Sequence, residues 1–502
     1  MIATALSASL LGIEGHRVSV EVHIGNGLPA FTVVGLPDAA CREARDRVRA
    51  AFASSQLEFP KRKVTVNLAP SNLRKVGSGL DVPIAVAILA AQGRIDARVI
   101  AGCGFIGELG LDGSLRPVPG VLSLVDAIGV GAVVVPLSSA AEAALVDGVV
   151  VRGMATLSDL VAALDGSRPW PAPPVVDRGV DEPVVGDLTD VRGQPFGTWA
   201  LEVSAAGGHH LLMIGPPGAG KTLLASRIPG ILPPLSQREA IEVARIHSAG
   251  ALPRPPGGLV LRPPFRAPHH TASMPSLTGG GTTWVRPGEV SFAHRGVLFL
   301  DELAEFAPAA LDTLRQPLED GSIRVCRARH TVDFPARFLL VAAMNPCPCG
   351  PSGGVCECPD GVRTRYARRV SGPLLDRFDL RVVISRPSVP DLLDAPRGEP
   401  SSVVRARVER ARQAASHRGV RCNAELSAAM LDRVASLSPG GRALVEHRLR
   451  SGRLSARGLH RVRRVARTLA DLSGDDSAVL SEAHLAAALE LRADPAVLAA
   501  AS

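Results

Sequence analysis

Lysine is nearly absent from this chain: of 56 Lys and Arg residues in 502, only Lys61, Lys63, Lys75 and Lys221 are lysines. Aromatic residues are scarce as well, and none lies between Glu399 and Ser502. That excludes base stacking by the C-terminal segment and leaves contact with a phosphate backbone as its mode of binding a nucleic acid. No apolar run approaches the roughly 18 residues of a membrane span, and the N-terminal MIATALSASLLG lacks the basic start of a secretion signal. The expectation is a cytoplasmic protein without a membrane partner. Eight cysteines, four of them within Cys347–Cys358, are too few and too clustered for a secreted disulfide scaffold.

What is present is organised around residues 211–222, LLMIGPPGAGKT. The apolar run Leu211–Ile214 reads as a buried parallel strand, and LLASRI after Thr222 reads as helix. Between them, Gly215, Pro216, Pro217, Gly218, Ala219, Gly220, Lys221, Thr222 and then Leu223 spell G-x-x-x-x-G-K-T, a phosphate-binding loop. Gly218 and Gly220 let successive N–H groups converge on phosphate oxygens at a helix N-terminus. Lys221 supplies a compact charge to the β- and γ-phosphates, where a wide guanidinium does not substitute, and the Thr222 hydroxyl ligates Mg²⁺. ATP and Mg²⁺ are the cofactors this predicts.

Downstream, Gly296–Leu303 is a four-residue apolar strand that delivers Asp301 and Glu302 at its C-terminal end. In a doubly wound sheet those carboxylates lie beside the loop, Asp301 in the Mg²⁺ shell and Glu302 polarising the attacking water. A third strand, Phe338–Met344, ends at Asn345, whose neutral amide suits a γ-phosphate sensor. Arg377, in Leu374–Leu380, is a candidate arginine finger reaching a neighbouring subunit's nucleotide; a surface pair with Asp376 or Asp379 is the alternative. Cys347, Cys349, Cys356 and Cys358 form C-x-C-x6-C-x-C, which suits a closed structural Zn²⁺ site or four free thiols. The pairs His209-His210 and His269-His270 lack partners at ligand spacing and read as structural.

The net charge of +8 is unevenly placed: residues 399–471 hold 16 arginines against 6 acidic residues. A basic module on a nearly neutral remainder suggests a polyanionic partner, the alternative being a solvated helical surface. Residues 265–290 interrupt the core with Gly279-Gly280-Gly281 and Trp284, and residues 321–334 alternate as a hairpin carrying Arg324, Arg327 and Arg329. In a ring such loops can point into a pore and grip DNA, so Arg327 and Arg329 are the expected backbone contacts, a solvent-exposed hairpin being the alternative.

Ahead of the ATPase core, strands alternate with helical segments at 38–54 and 81–92, an α+β pattern over 1–165. Residues 166–184 hold five prolines and read as a semi-extended linker isolating this domain. The core then spans 185–385, and 386–502 is helical, with periodic stretches at 401–418, 424–437, 439–451, 456–472 and 481–492.

Gly107–Leu122 and GVGAVVVPLSSAAE resemble the proteolytic domain of Lon-type proteases, which use a Ser–Lys pair. Here the lysine position falls at about Leu122 and the nucleophile near Gly79, one residue from Ser78, so the domain is expected to keep the fold without the chemistry. The ATPase motifs, with Gly288–Phe306, Leu314–Glu319 and Pro335–Cys347, are similar to Mg-chelatase-like AAA+ ATPases. Joined to the Lon-like front, they place the whole chain with the YifB/ComM family. The resemblance implies an α/β protein: an N-terminal α+β Lon-protease-like domain, an AAA+ doubly wound parallel sheet and an all-helical lid. It implies Arg457, in Leu454-Ser455-Ala456-Arg457, as a second sensor acting in cis. Arg461, Arg463, Arg464 and Arg467 would be surface cations for DNA or neighbouring subunits. It further implies a hexameric helicase for DNA branch migration in transformation. A motor loading Mg²⁺ into a porphyrin and an ATP-dependent protease or protein-remodelling factor remain the rivals.

Overall fold

Residues 1–175, 177–180, 186–252, 258–281, 284–327, 330–349, 356, 358–394 and 396–493 are described by a computed structural model. In the front domain, apolar residues at every second position bury one side of strands β1 (Ile2–Leu11), β2 (Glu14–Gly25) and β4 (Lys63–Ala69). These join β3 (Ala30–Val34), β5 (Cys103–Phe105), β6 (Ala132–Pro136) and β7 (Val150–Met154) in one sheet ordered β3-β4-β2-β1-β5-β6-β7. The pairs β1–β2 and β2–β4 are antiparallel and the rest parallel. Helix α1 (Ala39–Ser54) buries the stripe Cys41, Ala44, Val48, Ala51 and Phe52, and starts at Asp38, which caps the Cys41 amide. Helix α2 (Asp81–Ala91) is apolar on every side and correspondingly buried along almost its whole length. Helix α3 (Val121–Ile128) packs on the other face of the sheet.

The ATPase core starts at α4 (Pro195–Gly207). Its strands are β8 (Leu211–Ile214), β9 (Phe265–Arg266), β10 (Val297–Leu300), β13 (Leu339–Met344) and β14 (Leu380–Val383), with the antiparallel hairpin β11 (Ser322–Arg327) and β12 (His330–Pro335) between β10 and β13. The five strands are parallel, in the order β9-β10-β13-β8-β14. Leu211 pairs with Val341 and Leu380, and Ile214 with Met344 and Val383, so β13, β8 and β14 end level with one another. Alternate residues feed two cores. Leu211, Met213, Val297, Phe299, Val341 and Val382 join helices α4 and α5 (Lys221–Ile231) and the lid. Leu212, Ile214, Leu298, Leu300, Leu340 and Ala342 join the hairpin residues Val325, Val332 and Phe334. Each such fully buried side chain contributes about 1.5–3 kcal/mol.

The lid consists of α7 (Ser401–His417), α8 (Ala428–Val434), α9 (Pro439–Arg450), α10 (Ala456–Leu472) and α11 (Glu482–Glu490). Part of its basic charge is turned inward rather than toward a partner. Arg405 donates to the Gly230 carbonyl, Arg407 pairs with Glu202 and Glu399, and Arg412 donates to the Ala205 carbonyl, each tying α7 to the core. Arg461 pairs with Asp379, Arg463 with Asp432, Arg464 donates to the Leu426 carbonyl, and Arg467 pairs with Asp471. Arg463 and Arg467 are 8% and 1% exposed. These four are therefore not surface cations: α10 buries its middle turns against the core, and a buried guanidinium must find acceptors within the protein.

The proline-rich segment does not isolate the two modules either. Trp170 packs on the front-domain core under the Arg152 guanidinium, and Asp177–Val180 pairs in parallel with Gly258–Val260. Helix α6 (Gln237–Ala249) lies against α3, with Arg245 bonded to Asp126 at 2.9 Å and Leu122 in a shared apolar cluster with Leu235 and Val243. Among the described residues no helix is long and apolar enough to cross a membrane.

Candidate nucleotide site

Strand β8 delivers the phosphate loop at the C-terminal edge of the sheet, beside β13 and β14, which lie on either side of it. This is the switch point at which open α/β sheets bind ligands. Gly215 passes so close to β14 that a Cβ there would meet the Ile384 carbonyl oxygen at 2.0 Å. Gly218 and Gly220 have φ of +76° and +86°, the left-handed region that favours glycine. The Gln194 amide, at the start of α4, donates to the carbonyls of Ala219 (2.9 Å) and Ser385 (2.7 Å) and so braces the loop against β14.

Lys221 is 8% exposed, and its Nζ donates to the carbonyls of Gly215 (2.7 Å) and Pro216 (3.0 Å) and to Asn345 Oδ1 (3.1 Å). Burial pulls the ammonium pKa below its usual value, with the Asp301 charge opposing. Thr222 Oγ1 donates to Asp301 Oδ2 at 2.6 Å. A hydroxyl and a carboxylate facing each other from a helix start and a strand end are hard oxygen donors of the kind Mg²⁺ takes, with phosphate and water completing its shell. Glu302 sits in a left-handed turn, φ 51°, with its N–H on Asp301 Oδ1 (2.9 Å), which aims the two carboxylates in different directions. Together Pro217–Leu223, Asp301, Glu302, Met344 and Asn345 line a cavity of about 380 Å³; Gly215 and Pro216 stand behind its wall.

Three residues beyond the expected set bear on this site. His270 Nδ1 lies 2.9 Å from Glu302 Oε2, so this histidine holds the glutamate and is not merely structural. Its neighbour His269 stacks on it and bonds to Thr271. Gln194 and Arg386, whose Nε donates to the Pro217 carbonyl at 2.9 Å, also serve the loop. Pro195 opens α4 right after Gln194, but no local pattern discloses where the Gln194 amide points, and nothing near Arg386 announces its partner. At the opposite edge His209 is buried between Asp379 and Thr468, and the half-buried His210 accepts the Leu340 N–H.

Arg377 and Arg457 are not in the cavity. Arg377 precedes β14, and its side chain pairs with Glu319, the acceptor in place of either expected aspartate. Burial lowers its pKa, and the positive charges of Arg461, Arg457 and Arg315 reinforce the shift. Arg461, one turn along α10 from Arg457, donates to the Arg377 carbonyl and to Asp379. Asp379 enters β14 level with His210, whereas the loop leaves from the other end of the paired strand. Arg457 thus stands at the far edge of the sheet from Lys221, and a sensor role in cis is corrected: α10 docks on the start of β14, not over the phosphate loop.

The thiols of Cys347, Cys349, Cys356 and Cys358 all lie within 4.8 Å of one another, just beyond Asn345. The Cys347–Cys349 and Cys349–Cys356 sulfurs are 3.2 and 3.6 Å apart. Four thiolates about 2.3 Å from a tetrahedral zinc have edges near 3.8 Å, so the cluster suits that ion. In the hairpin, Arg324 pairs with Asp333 at 2.8 Å; Arg327 pairs through its backbone with His330 near the tip, and Arg329 lies outside the described residues.

The parallel sheet with its glycine-rich loop and paired strand-end residues defines a P-loop ATPase of the AAA+ class. Residues 187–392 match the family described as magnesium chelatase, subunit ChlI; residues 20–138 match subunit ChlI of Mg-chelatase, and residues 398–492 its C-terminal part. The chain is 46% identical to an uncharacterized protein of Mycobacterium tuberculosis over 97% of this chain and 98% of the relative. It is 43% identical to the uncharacterized protein YifB of Escherichia coli (96% and 95% covered) and 42% identical to the competence protein ComM of Haemophilus influenzae (98% and 97%). It belongs to the Mg-chelatase-like YifB/ComM family, whose membership implies ATP and Mg²⁺. A more distant similarity, 26% identity over 203 residues, links 35% of the chain, in its N-terminal region, to 34% of Lon protease 2 of Bacillus subtilis.

Proposed function

We propose that this chain is an ATP-hydrolysing ring motor that acts on DNA, in the manner of a helicase or branch-migration factor. The observation that carries the ring is the split between the two edges of the sheet. Lys221, Thr222, Asp301, Glu302 and Asn345 gather at one edge, and Arg377 and Arg457 stand at the other. No single copy closes its own site, whereas a ring that sets one copy's far edge against the next copy's cavity does so; a hexamer is the assembly proposed. Support for DNA comes from the 42% identity to a competence protein and from the arginines of the hairpin 321–334, with Arg327 and Arg329 as the proposed backbone contacts. The buried lid arginines take no part.

In this reading the loop N–H groups and Lys221 hold the triphosphate, the ammonium exchanging its carbonyl partners for phosphate oxygens. Thr222 and Asp301 would hold Mg²⁺, which would supply charge to screen the phosphates. Asn345 meets the γ-phosphate from β13, and Glu302 takes the proton of the attacking water. His270 positions Glu302, and Arg377 with Arg457 of the adjacent copy offsets the charge that develops. The loop of four cysteines is a structural zinc site, with no open position for catalysis. The front domain has no protease chemistry: Ser78 donates its hydroxyl to Glu108, and Leu122, at the position of the Lon lysine, is buried. ATPase measured with branched, duplex and single-stranded DNA tests the motor. Stimulation by at least one of them is expected, and a rate indifferent to all three, as for a chelatase motor, removes DNA from the proposal.

A further inference from the structure

A second recess, of about 210 Å³, opens at the far edge of the ATPase sheet. It lies between the strand starts at Gly296 and Leu339, the beginning of α6, and lid helix α7. Four guanidinium groups line it, two from the core (Arg295, Arg337) and two from the lid (Arg412, Arg421). The neighbouring carboxylates account for half of them. Arg295 is paired with Glu239 and Glu242, and Arg421 with Glu425. Arg337 and Arg412 have no carboxylate within ion-pair reach among the described residues. Arg412 donates Nε and Nη2 to the Ala205 carbonyl and Nη1 to the Arg421 carbonyl, and also bonds to the Cys422 side chain, so its contacts are neutral carbonyls and a thiol rather than a carboxylate. Burial pushes its pKa down, with Arg421 reinforcing and Cys422 and Glu425 opposing. Arg337 is exposed at the rim.

A protein has little reason to bring two unpaired guanidiniums to one recess across a module boundary unless an anion joins them. We propose that this recess binds a small phosphate-bearing anion of the pyrophosphate or nucleoside-polyphosphate class, which clamps the lid to the core through Arg337 and Arg412. The recess admits a diphosphate group but not a duplex about 20 Å across, which favours a free anion over a nucleic-acid backbone. Occupancy fixes the angle between α7 and the sheet, and so the placement of α10, which carries Arg457. The site is separate from the phosphate loop and does not depend on the motor reading.

The test is titration calorimetry of the full chain with inorganic pyrophosphate in a Lys221→Ala background, which silences the phosphate loop. One binding event per chain is expected to persist, accompanied by a rise in melting temperature. Adding Arg337→Glu, at an exposed position that folding tolerates, is expected to weaken it about tenfold or more. Arg412→Gln, with its melting temperature recorded, is expected to do the same. Loss of pyrophosphate binding in Lys221→Ala alone, or unchanged binding in Arg337→Glu, overturns the proposal. So does an Arg337→Glu protein that loses affinity for duplex DNA while keeping it for pyrophosphate.

Discussion

Two glycine-rich turns in this chain lead into buried helices, and each carries a buried lysine. Gly77-Ser78-Gly79 runs into α2, with Lys75 fully buried; Gly218-Ala219-Gly220 runs into α5, with Lys221 at its start. Both ammoniums donate to backbone carbonyls of nearby residues, Lys75 to Pro70 and Leu73, and burial lowers the pKa of both. The difference lies in what neighbouring strands add. Lys221 also reaches Asn345 on β13, with Asp301 and Glu302 from β10 across the cavity. Lys75 donates to carbonyls with Cys41 as its other neighbour, and Ser78 faces Glu108, a carboxylate acceptor with no lysine to act as base. A turn becomes a site when adjacent strand ends converge on it.

The sharpest way to break that comparison is to remove what β10 supplies. Glu302→Gln keeps the shape and deletes the base, so hydrolysis is expected to fall about 10²–10⁴-fold with nucleotide affinity retained. Steady-state ATPase and binding of a fluorescent ATP analogue measure the two separately, and persistent turnover assigns the base elsewhere. Next in size is the contribution of the far edge. Arg377→Ala and Lys221→Ala are each expected to be inactive alone. Mixed in equal amounts, they recover about a quarter of wild-type activity, the share of interfaces that join an intact loop to an intact arginine in a random ring. Absence of recovery refutes completion of the site in trans.

The residues of the loop itself were legible because G-x-x-x-x-G-K-T is a local pattern with one geometry, and four apolar residues before Asp301-Glu302 leave little choice but a buried strand. Position across the sheet was harder. Arg457 carries no mark in its own segment of which sheet edge α10 meets; Asp379, nearly 80 residues earlier, decides it by binding Arg461. The lid's charge misled for a related reason. Sixteen arginines read as a surface, yet several are turned inward, Arg405, Arg412 and Arg464 onto the carbonyls of Gly230, Ala205 and Leu426, backbone atoms that composition does not register. His270 was hidden by distance, since its partner Glu302 lies 32 residues on and across a strand.

Acid sharpens the contrast between the modules on a smaller scale. Burial lowers the pKa of His210 to about 4, Asp379 opposing and Arg461, His209 and Arg377 reinforcing it. The unfolded chain therefore binds this proton first, and stability is present above about pH 6.5 and lost as pH falls toward 4, on the order of 3 kcal/mol in all. Asp81 in the front domain has the opposite sign. Burial raises its carboxyl to about 6 despite the Arg47 ion pair, so its contribution is complete below about pH 3.8 and lost as pH rises through 6. In calorimetry, going from pH 7 to pH 5 is expected to lower the ATPase transition and to leave the front-domain transition unchanged or raised; parallel shifts contradict the assignment. Zinc offers a further check, since metal analysis of untagged protein is expected to find about one ion per chain, lost in Cys349→Ser.

The smallest expected effect belongs to the turn that is not a site. Ser78→Ala removes a hydroxyl whose acceptor is the half-buried Glu108 carboxylate. The carboxylate keeps access to water, so the cost is about 1 kcal/mol, within the range of a single lost hydrogen bond. ATPase activity, with and without DNA, is expected to stay within about twofold, because no part of this turn reaches the cavity at Lys221. The same protein incubated with unfolded casein is expected to yield no fragments, and wild type none either. Casein cleavage by wild type that disappears in Ser78→Ala would make the two turns equals, each with its own chemistry, and would turn Glu108 from an inert acceptor into the base for a nucleophile.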